Sequence, residues 1–198
     1  LPAALGVSTP LVAGNYNQGA AVSLTGILTL NAEHDCTAPE WTFTIGGTFN
    51  TAASSTVVFS NLPSTCVPVV NWVVTGAVTL GALSNVGISN IECTAGEITL
   101  GAGAKAVGDL TSDAAINLGA DAVAGDLNAG AAITLGANAV AGVLNAGAAI
   151  TLGANAVAGV LDAGAAITVG AGAICTGNSL CPAPLAPGTL QLPAALGV

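Results

Sequence analysis

The sequence predicts an all-β fold, a parallel β-solenoid, on three observations. A short motif recurs as Ile98-Thr99-Leu100-Gly101, Ile116-Asn117-Leu118-Gly119, Ile133-Thr134-Leu135-Gly136, Ile150-Thr151-Leu152-Gly153 and Ile167-Thr168-Val169-Gly170. Its copies open at positions 98, 116, 133, 150 and 167, a nearly constant period, with Val78-Thr79-Leu80-Gly81 as an earlier and slightly more distant copy. That period is too short for paired-helix repeats and suits one coil of a solenoid. Within each copy, apolar and polar residues alternate as a strand requires, and glycine then turns the corner.

Taken in order along the chain, residues 1–13, with Pro2 and Pro10, read as a connector, because proline cannot donate to a ladder. Residues 14–97 read as a wide solenoid part. All the aromatic residues, Tyr16, Trp41, Phe43, Phe49, Phe59 and Trp72, fall here, beside longer strands such as Glu40–Ile45 and Ser55–Phe59. The segment 98–174 reads as slim, regular rungs of about 17 residues each. Residues 175–198 read as a loop stapled between Cys175 and Cys181, followed by a Pro-rich connector with Pro182, Pro184, Pro187 and Pro193. Leu192-Pro193-Ala194-Ala195-Leu196-Gly197-Val198 repeats Leu1-Pro2-Ala3-Ala4-Leu5-Gly6-Val7 without a change. A heptamer is too long to recur by chance, so the chain reads as one period of a tandem array plus the start of the next.

Stacking the rungs at roughly 4.8 Å predicts columns of equivalent residues. One inward column is Ile98, Ile116, Ile133, Ile150 and Ile167, beside Leu100, Leu118, Leu135, Leu152 and Val169. A second is expected at Val107, Val123, Val140 and Val157. The outward row is Thr79, Thr99, Asn117, Thr134, Thr151 and Thr168, the candidate surface-contact residues. Two further columns, Asp121, Asn138 and Asn155, and Ser112, Asn128, Asn145 and Asp162, are assigned to turns, where stacked Asn side chains can hydrogen-bond along the solenoid. Asp109 is expected one rung from Asp126, a like-charge pair that reads as two solvated acids rather than a Ca²⁺ site.

Composition narrows the function. Lys105 is the sole cation, against 10 acidic residues and a net charge of −9. Nucleic acid and anionic lipid need basic contacts and are excluded as partners. The chain is 53% apolar with a mean hydropathy of +0.80, yet Gly, Thr, Asn or Asp interrupts every apolar run. None approaches the roughly 20 residues of a spanning helix, so no membrane insertion is expected. No leader is legible, because the start lacks a basic segment and a long apolar core. Five cysteines without metal-type spacing fit an oxidising, extracellular setting. Cys36 with Cys66 is the second candidate disulfide. The odd cysteine, Cys93, is either a buried thiol or a link to a neighbouring unit. No Asn-x-Ser/Thr sequon occurs.

Gly14-Asn15-Tyr16, Leu24 through Ala32, Trp41 through Ala52, and Val70-Asn71-Trp72-Val73-Val74-Thr75-Gly76-Ala77-Val78-Thr79-Leu80-Gly81 occur in a block order that resembles the microbial ice-binding β-solenoid family over residues 14–120. The resemblance implies a right-handed solenoid of triangular section, secreted or cell-surface and without a cofactor. It also implies ice adsorption through a flat, Thr-rich face. The chain departs from that family in lacking its long accompanying helix and in carrying short rungs after residue 120.

No catalytic constellation is legible. His34 is the lone histidine, and Glu33-His34-Asp35-Cys36 lacks the spacing of a metal site. Gly101 through Gly108 lacks the Gly-Lys-Ser/Thr of a phosphate loop. Glu92 and Glu97 lack the flanking aromatics of a glycosidase. The sequence therefore reads as a non-enzymatic, extracellular structural protein whose units build a fibre or stalk from copies of themselves. The alternative is an ice-binding domain using the outward Thr row.

Overall fold

The computed structural model describes residues 1–6, 10–34 and 39–176, and among these every strand pairing is parallel and no helix occurs. The chain winds as a three-faced β-solenoid, each coil contributing to the faces in the same order. The first face stacks nine strands: Ala4–Leu5, Val22–Leu24, Phe49–Thr51, Val78–Leu80, Ile98–Leu100, Ile116–Leu118, Ile133–Leu135, Ile150–Leu152 and Ile167–Val169. The second runs from Leu11–Val12 through Ile27–Asn31, Thr56–Ser60, Asn85–Gly87, Lys105–Ala106 and Val123–Ala124. It continues through bridges at Val140 to Val157–Ala158 and Ile174–Cys175. The third comprises Gly14–Gln18, Glu40–Ile45, Val69–Val74, Ser89–Cys93, Leu110–Ser112, Leu127–Ala129, Leu144–Ala146 and Leu161–Ala163. Thus residues 1–13, expected to be a connector, hold two paired strands. Pro2 and Pro10 lie just outside them, where no ladder donor is lost.

The core tapers because the inward side chains shrink from coil to coil. On the third face one inward column runs Tyr16, Phe43, Trp72, Ile91, Leu110, Leu127, Leu144 and Leu161. Phe43 stacks on Trp72 with centroids 4.2 Å apart, and Phe49 stacks on the same indole at 4.3 Å. Tyr16 stacks on Phe43 at 5.3 Å, and Trp41 donates its indole N–H to the Leu11 carbonyl at 3.0 Å. The first-face Ile and Leu columns follow the expected register. Ile150 and Leu152 are buried, whereas Ile167 and Val169 in the last coil are half-exposed.

Two expected columns are corrected. Val107, Val123, Val140 and Val157 do not point inward: Val107 is 52% and Val140 39% exposed. The inward positions of the second face are alanines instead, Ala122, Ala124, Ala139, Ala141, Ala156 and Ala158, all buried. In an Ala-Val-Ala stretch both alternation phases are apolar, and the slim coil leaves interior room for methyl groups but not for isopropyl groups. Val107 is also out of register, since Lys105 pairs with Val123 and Ala106 with Ala124. Likewise Ser112 is not equivalent to Asn128. The outward residue pairing with Asn128 is Thr111, and Asn145 and Asp162 follow it on strands of the third face rather than in turns. Ser112 faces the interior at 2% exposure and donates to the Gly96 carbonyl at 2.7 Å.

The corner between the first and second faces is built by a column of left-handed residues. Ser54, Leu83, Gly103, Asp121, Asn138, Asn155 and Gly172 have φ between 56° and 70°. Short polar side chains and glycine tolerate this conformation. The Asn138 amide donates to Asp121 Oδ1 at 3.0 Å, so the expected side-chain link between rungs forms here. Leu83 is the misfit, 67% exposed with φ 59°. Leu83→Asn is expected to raise stability by roughly 1 kcal/mol, read as a higher thermal midpoint. An unchanged or lower midpoint would mean that Leu83 contributes packing that outweighs its backbone strain.

Candidate functional site

The first face brings the whole expected outward row together. Thr79 pairs with Thr99, Thr99 with Asn117, Asn117 with Thr134, Thr134 with Thr151 and Thr151 with Thr168, each in direct register. Thr79, Thr134, Thr151 and Thr168 are exposed, while Thr99 and Asn117 are half-buried. The column continues below Thr79 through Asn50, Ser23 and Ala4, which the sequence reading missed. Their signal was the same inward-outward-inward triplet in Val22-Ser23-Leu24 and Phe49-Asn50-Thr51. Wide intervening loops space these triplets far more broadly than the slim rungs, so they fall outside the short period.

Each Thr is held by its own strand. The flanking residues Ile133 and Leu135, and Ile150 and Leu152, are almost completely buried, so rotation of the strand about its axis is blocked. A β-branched side chain adds a stiff χ1. Two residues before each Thr, alternation puts Ala77, Glu97, Ala115, Ala132, Ala149 and Ala166 on the same side. Two residues after it stands a glycine. A Cβ on Gly136 would lie 2.7 Å from the Ala120 nitrogen, and one on Gly153 2.6 Å from the Gly136 carbonyl carbon. Backbone therefore meets backbone at that corner. The face is a strip one Thr column wide, flanked on one side by bare backbone and on the other by alanine methyl groups and the exposed Glu97 carboxylate, and its outward Thr/Asn column carries no charge. What it can do chemically is present evenly spaced hydroxyl and methyl groups to a repeating surface.

The third face carries a different outward pattern. The Asn71 amide donates to Glu40 Oε1 at 2.8 Å, the Asn90 amide to Asn71 Oδ1 at 3.1 Å, and the Asp109 backbone N–H to Asn90 Oδ1 at 3.2 Å. This ladder borders a depression of about 360 Å³ that Val73, Glu92 and Thr111 also line. Asp109 and Asp126 precede the paired Leu110 and Leu127, which places them one rung apart as expected. Asp126 Oδ1 accepts the Val143 backbone N–H at 2.8 Å, which partly offsets the like charge. Among the described residues no group of three or more His, Cys, Asp or Glu could hold a metal ion. His34 lies in a left-handed turn, with φ 63° and its N–H on the Asn61 carbonyl at 2.9 Å.

Cys93 is a free, buried thiol. Its Sγ–H lies 2.9 Å from the Gly76 carbonyl and 3.0 Å from that of Gly96. Burial is the main cause that pushes its pKa up, with Asp113 adding to the effect and backbone hydrogen bonds opposing it. Cys93 is therefore expected to resist thiol reagents until the fold opens. A raised folded pKa contributes stability that is fully present below the ordinary thiol value of about 8.5 and is lost as pH rises beyond it. Denaturation midpoints should fall between neutral and alkaline pH, and Cys93→Ala should flatten that decline. Rapid native labelling of Cys93 would contradict the burial on which this rests. Cys66 and Cys175 are each disulfide-bonded, and their expected partners Cys36 and Cys181 lie outside the described residues.

Comparison with protein families matches residues 2–124 to the family described as Ice-binding-like. Comparisons with curated proteins and with solved structures return no match.

Proposed function

The chain belongs to the Ice-binding-like family, and from that premise we propose that it is an extracellular protein that adsorbs to ice through its first face. The observation that carries this reading is the in-register column Thr79, Thr99, Asn117, Thr134, Thr151 and Thr168 on an uninterrupted nine-stranded sheet. A crystal lattice is recognised by a repeat, and a parallel ladder supplies one at roughly 4.8 Å per rung. Thr offers a hydroxyl that joins the water network and a methyl that excludes it, on a side chain with little rotamer entropy to lose. No charged side chain lies in the Thr/Asn column itself, and Glu97 is the one carboxylate in the column beside it, so little strongly hydrated charge competes on this face. Growing a single ice crystal in the protein solution tests this. Faceted, slowed growth is expected, and unaltered growth at high protein concentration removes the reading.

A second reading, that copies of the unit join into a fibre or surface stalk, is favoured by one further observation. The heptamer repeated at 192–198 is the sequence that supplies the Ala4–Leu5 strand of the first coil. Heterologous head-to-tail contacts that do not close generate filaments. Electron micrographs of native material should show fibres with an axial repeat of one unit, and uniformly compact particles would dismiss this reading. The two readings are compatible, since a fibre of such units would carry the Thr face along its length.

A further inference from the structure

The outward row of the first face is not uniform along the solenoid. In the wide coils its polar groups are already engaged: the Asn50 amide donates to the Thr48 hydroxyl at 3.1 Å, and the Ser23 hydroxyl to the Ala3 carbonyl at 3.5 Å. Thr79 is exposed, but the next two rungs break the row. Thr99 is half-buried, with the exposed Glu97 two residues before it on the same side. Asn117 is half-buried too and brings an amide without a methyl group. Beyond them Thr134, Thr151 and Thr168 are all exposed, each with alanine two residues before it and glycine two residues after. Among the described residues, no hydrogen bond occupies the hydroxyls of Thr134 and Thr151.

The rungs that carry these threonines, residues 119–135, 136–152 and 153–169, are near copies. Successive rungs differ only at Asp121/Asn138 and Asp126/Val143, then at Asn145/Asp162 and Leu152/Val169. The first three of these positions lie at corners or on the third face and the last points inward, so no difference touches the outward surface of the first face. The family-matched residues, 2–124, end before Thr134.

We propose that ice contact is confined to these three rungs, that Glu97 and Asn117 are the residues that end it, and that its strength is set by the number of such rungs. This rests on the ice reading above and assigns the contact to residues beyond the family-matched part, which then serves as the scaffold on which the rungs stack.

A face that docks on a lattice must shed the water between them. Removing a carboxylate from water without a partner costs far more than removing a hydroxyl that regains its hydrogen bonds in the ice. The sole cation, Lys105, sits on the second face and not beside Glu97. Glu97 therefore keeps water at the level of Thr99, and Thr79 is cut off from the rest of the row. On the three slim rungs no charge intervenes. Hydroxyl, alanine methyl and bare glycine backbone recur there at every rung, roughly 4.8 Å apart. Because a solenoid rung contacts little beyond its neighbours, one can be added without remaking the rest, and each adds one unit of contact.

Single ice crystals grown in solutions of the full-length protein test this. Two variants with the same change of charge are compared at one concentration, Thr79→Lys with Thr99→Lys, and Thr134→Lys with Thr151→Lys, their folding verified by thermal midpoints. Faceting is expected to persist in the first and vanish in the second. Loss in both, or persistence in both, overturns the confinement. A third variant, Glu97→Ala with Asn117→Thr, extends the row and should facet crystals at a lower protein concentration than the unmodified chain. No gain overturns the role given to Glu97 and Asn117. A fourth variant carries a second copy of residues 136–152 after Leu152. It should likewise act at lower concentration, and an unchanged threshold in the folded variant overturns the dependence on rung number. If the inserted copy prevents folding, the two lysine pairs still decide the confinement. Unaltered growth with the unmodified chain is a separate outcome, since it removes the ice reading and this inference with it.

Discussion

Replacing Thr134 and Thr151 together with lysine is expected to abolish ice shaping while leaving the solenoid folded. Both side chains point outward from the middle of the slim half, between buried Ile and Leu neighbours that the change does not touch. Folding should therefore be nearly unaffected, since surface substitutions away from caps and cores usually alter stability by no more than about 0.5 kcal/mol. The effect on the face is of another kind. Two ammonium groups on flexible four-carbon stems carry tightly held water, and ordering each stem costs up to about 2 kcal/mol. They also stand proud of the strip, so neighbouring Thr residues are held away from a flat lattice. Thr134→Ser with Thr151→Ser should give an intermediate loss, because the hydroxyl stays and the methyl goes. Unchanged facets with the lysine variant would remove the first face from consideration and direct attention to the Asn71–Asn90 ladder of the third. The folded state is checked by the thermal midpoint.

The repeating half was legible because period and alternation carry the same information there. A short motif at steady spacing fixes both the strand and its inward side, and the Thr row followed directly. The wide coils hid their share of the same row. Loops such as the one holding Cys66 stretch the interval between Asn50 and Thr79 well beyond that of the slim rungs, so Ser23 and Asn50 could be aligned only through their triplets. The valine column failed for a different reason. Where every residue of a strand is apolar, as in Ala122-Val123-Ala124, hydrophobicity cannot choose the phase, and the choice falls to volume. The interior of a coil closed by Leu127 and Ile133 admits alanine. The inward place of Ser112 is legible from the chain, since aligning Leu110 with Leu127 places Thr111, not Ser112, beside Asn128. The Glu40–Asn71–Asn90 ladder has no local signature, because its members lie on different coils, far apart in the chain.

Trp72→Ala should cost more stability than any substitution in the slim half, about 3–5 kcal/mol, by removing the ring on which the wide coils converge. The indole is fully buried and stacks on both Phe43 and Phe49, at 4.2 and 4.3 Å. It thus bridges the third face to the first across the interior, where the slim coils have one third-face Leu beside first-face Ile and Leu and second-face alanines. Its N–H has no hydrogen-bond partner, so truncation sacrifices no bond and the loss measures packing alone. Trp72→Phe retains most of that contact and removes the orphaned donor, and should cost far less. Ile167→Ala provides the comparison at the other end: half-exposed on the last coil, it buries less apolar surface and should cost under about 2 kcal/mol. Because each coil of a solenoid touches its neighbours and little else, the location of a defect also governs cooperativity. A cavity at Trp72 should loosen the wide part while the slim rungs stay folded, giving a broadened or two-step transition. Ile167→Ala should shift one transition without splitting it. Equal losses for the two variants would show that the aromatic stack is not where the solenoid's stability is concentrated.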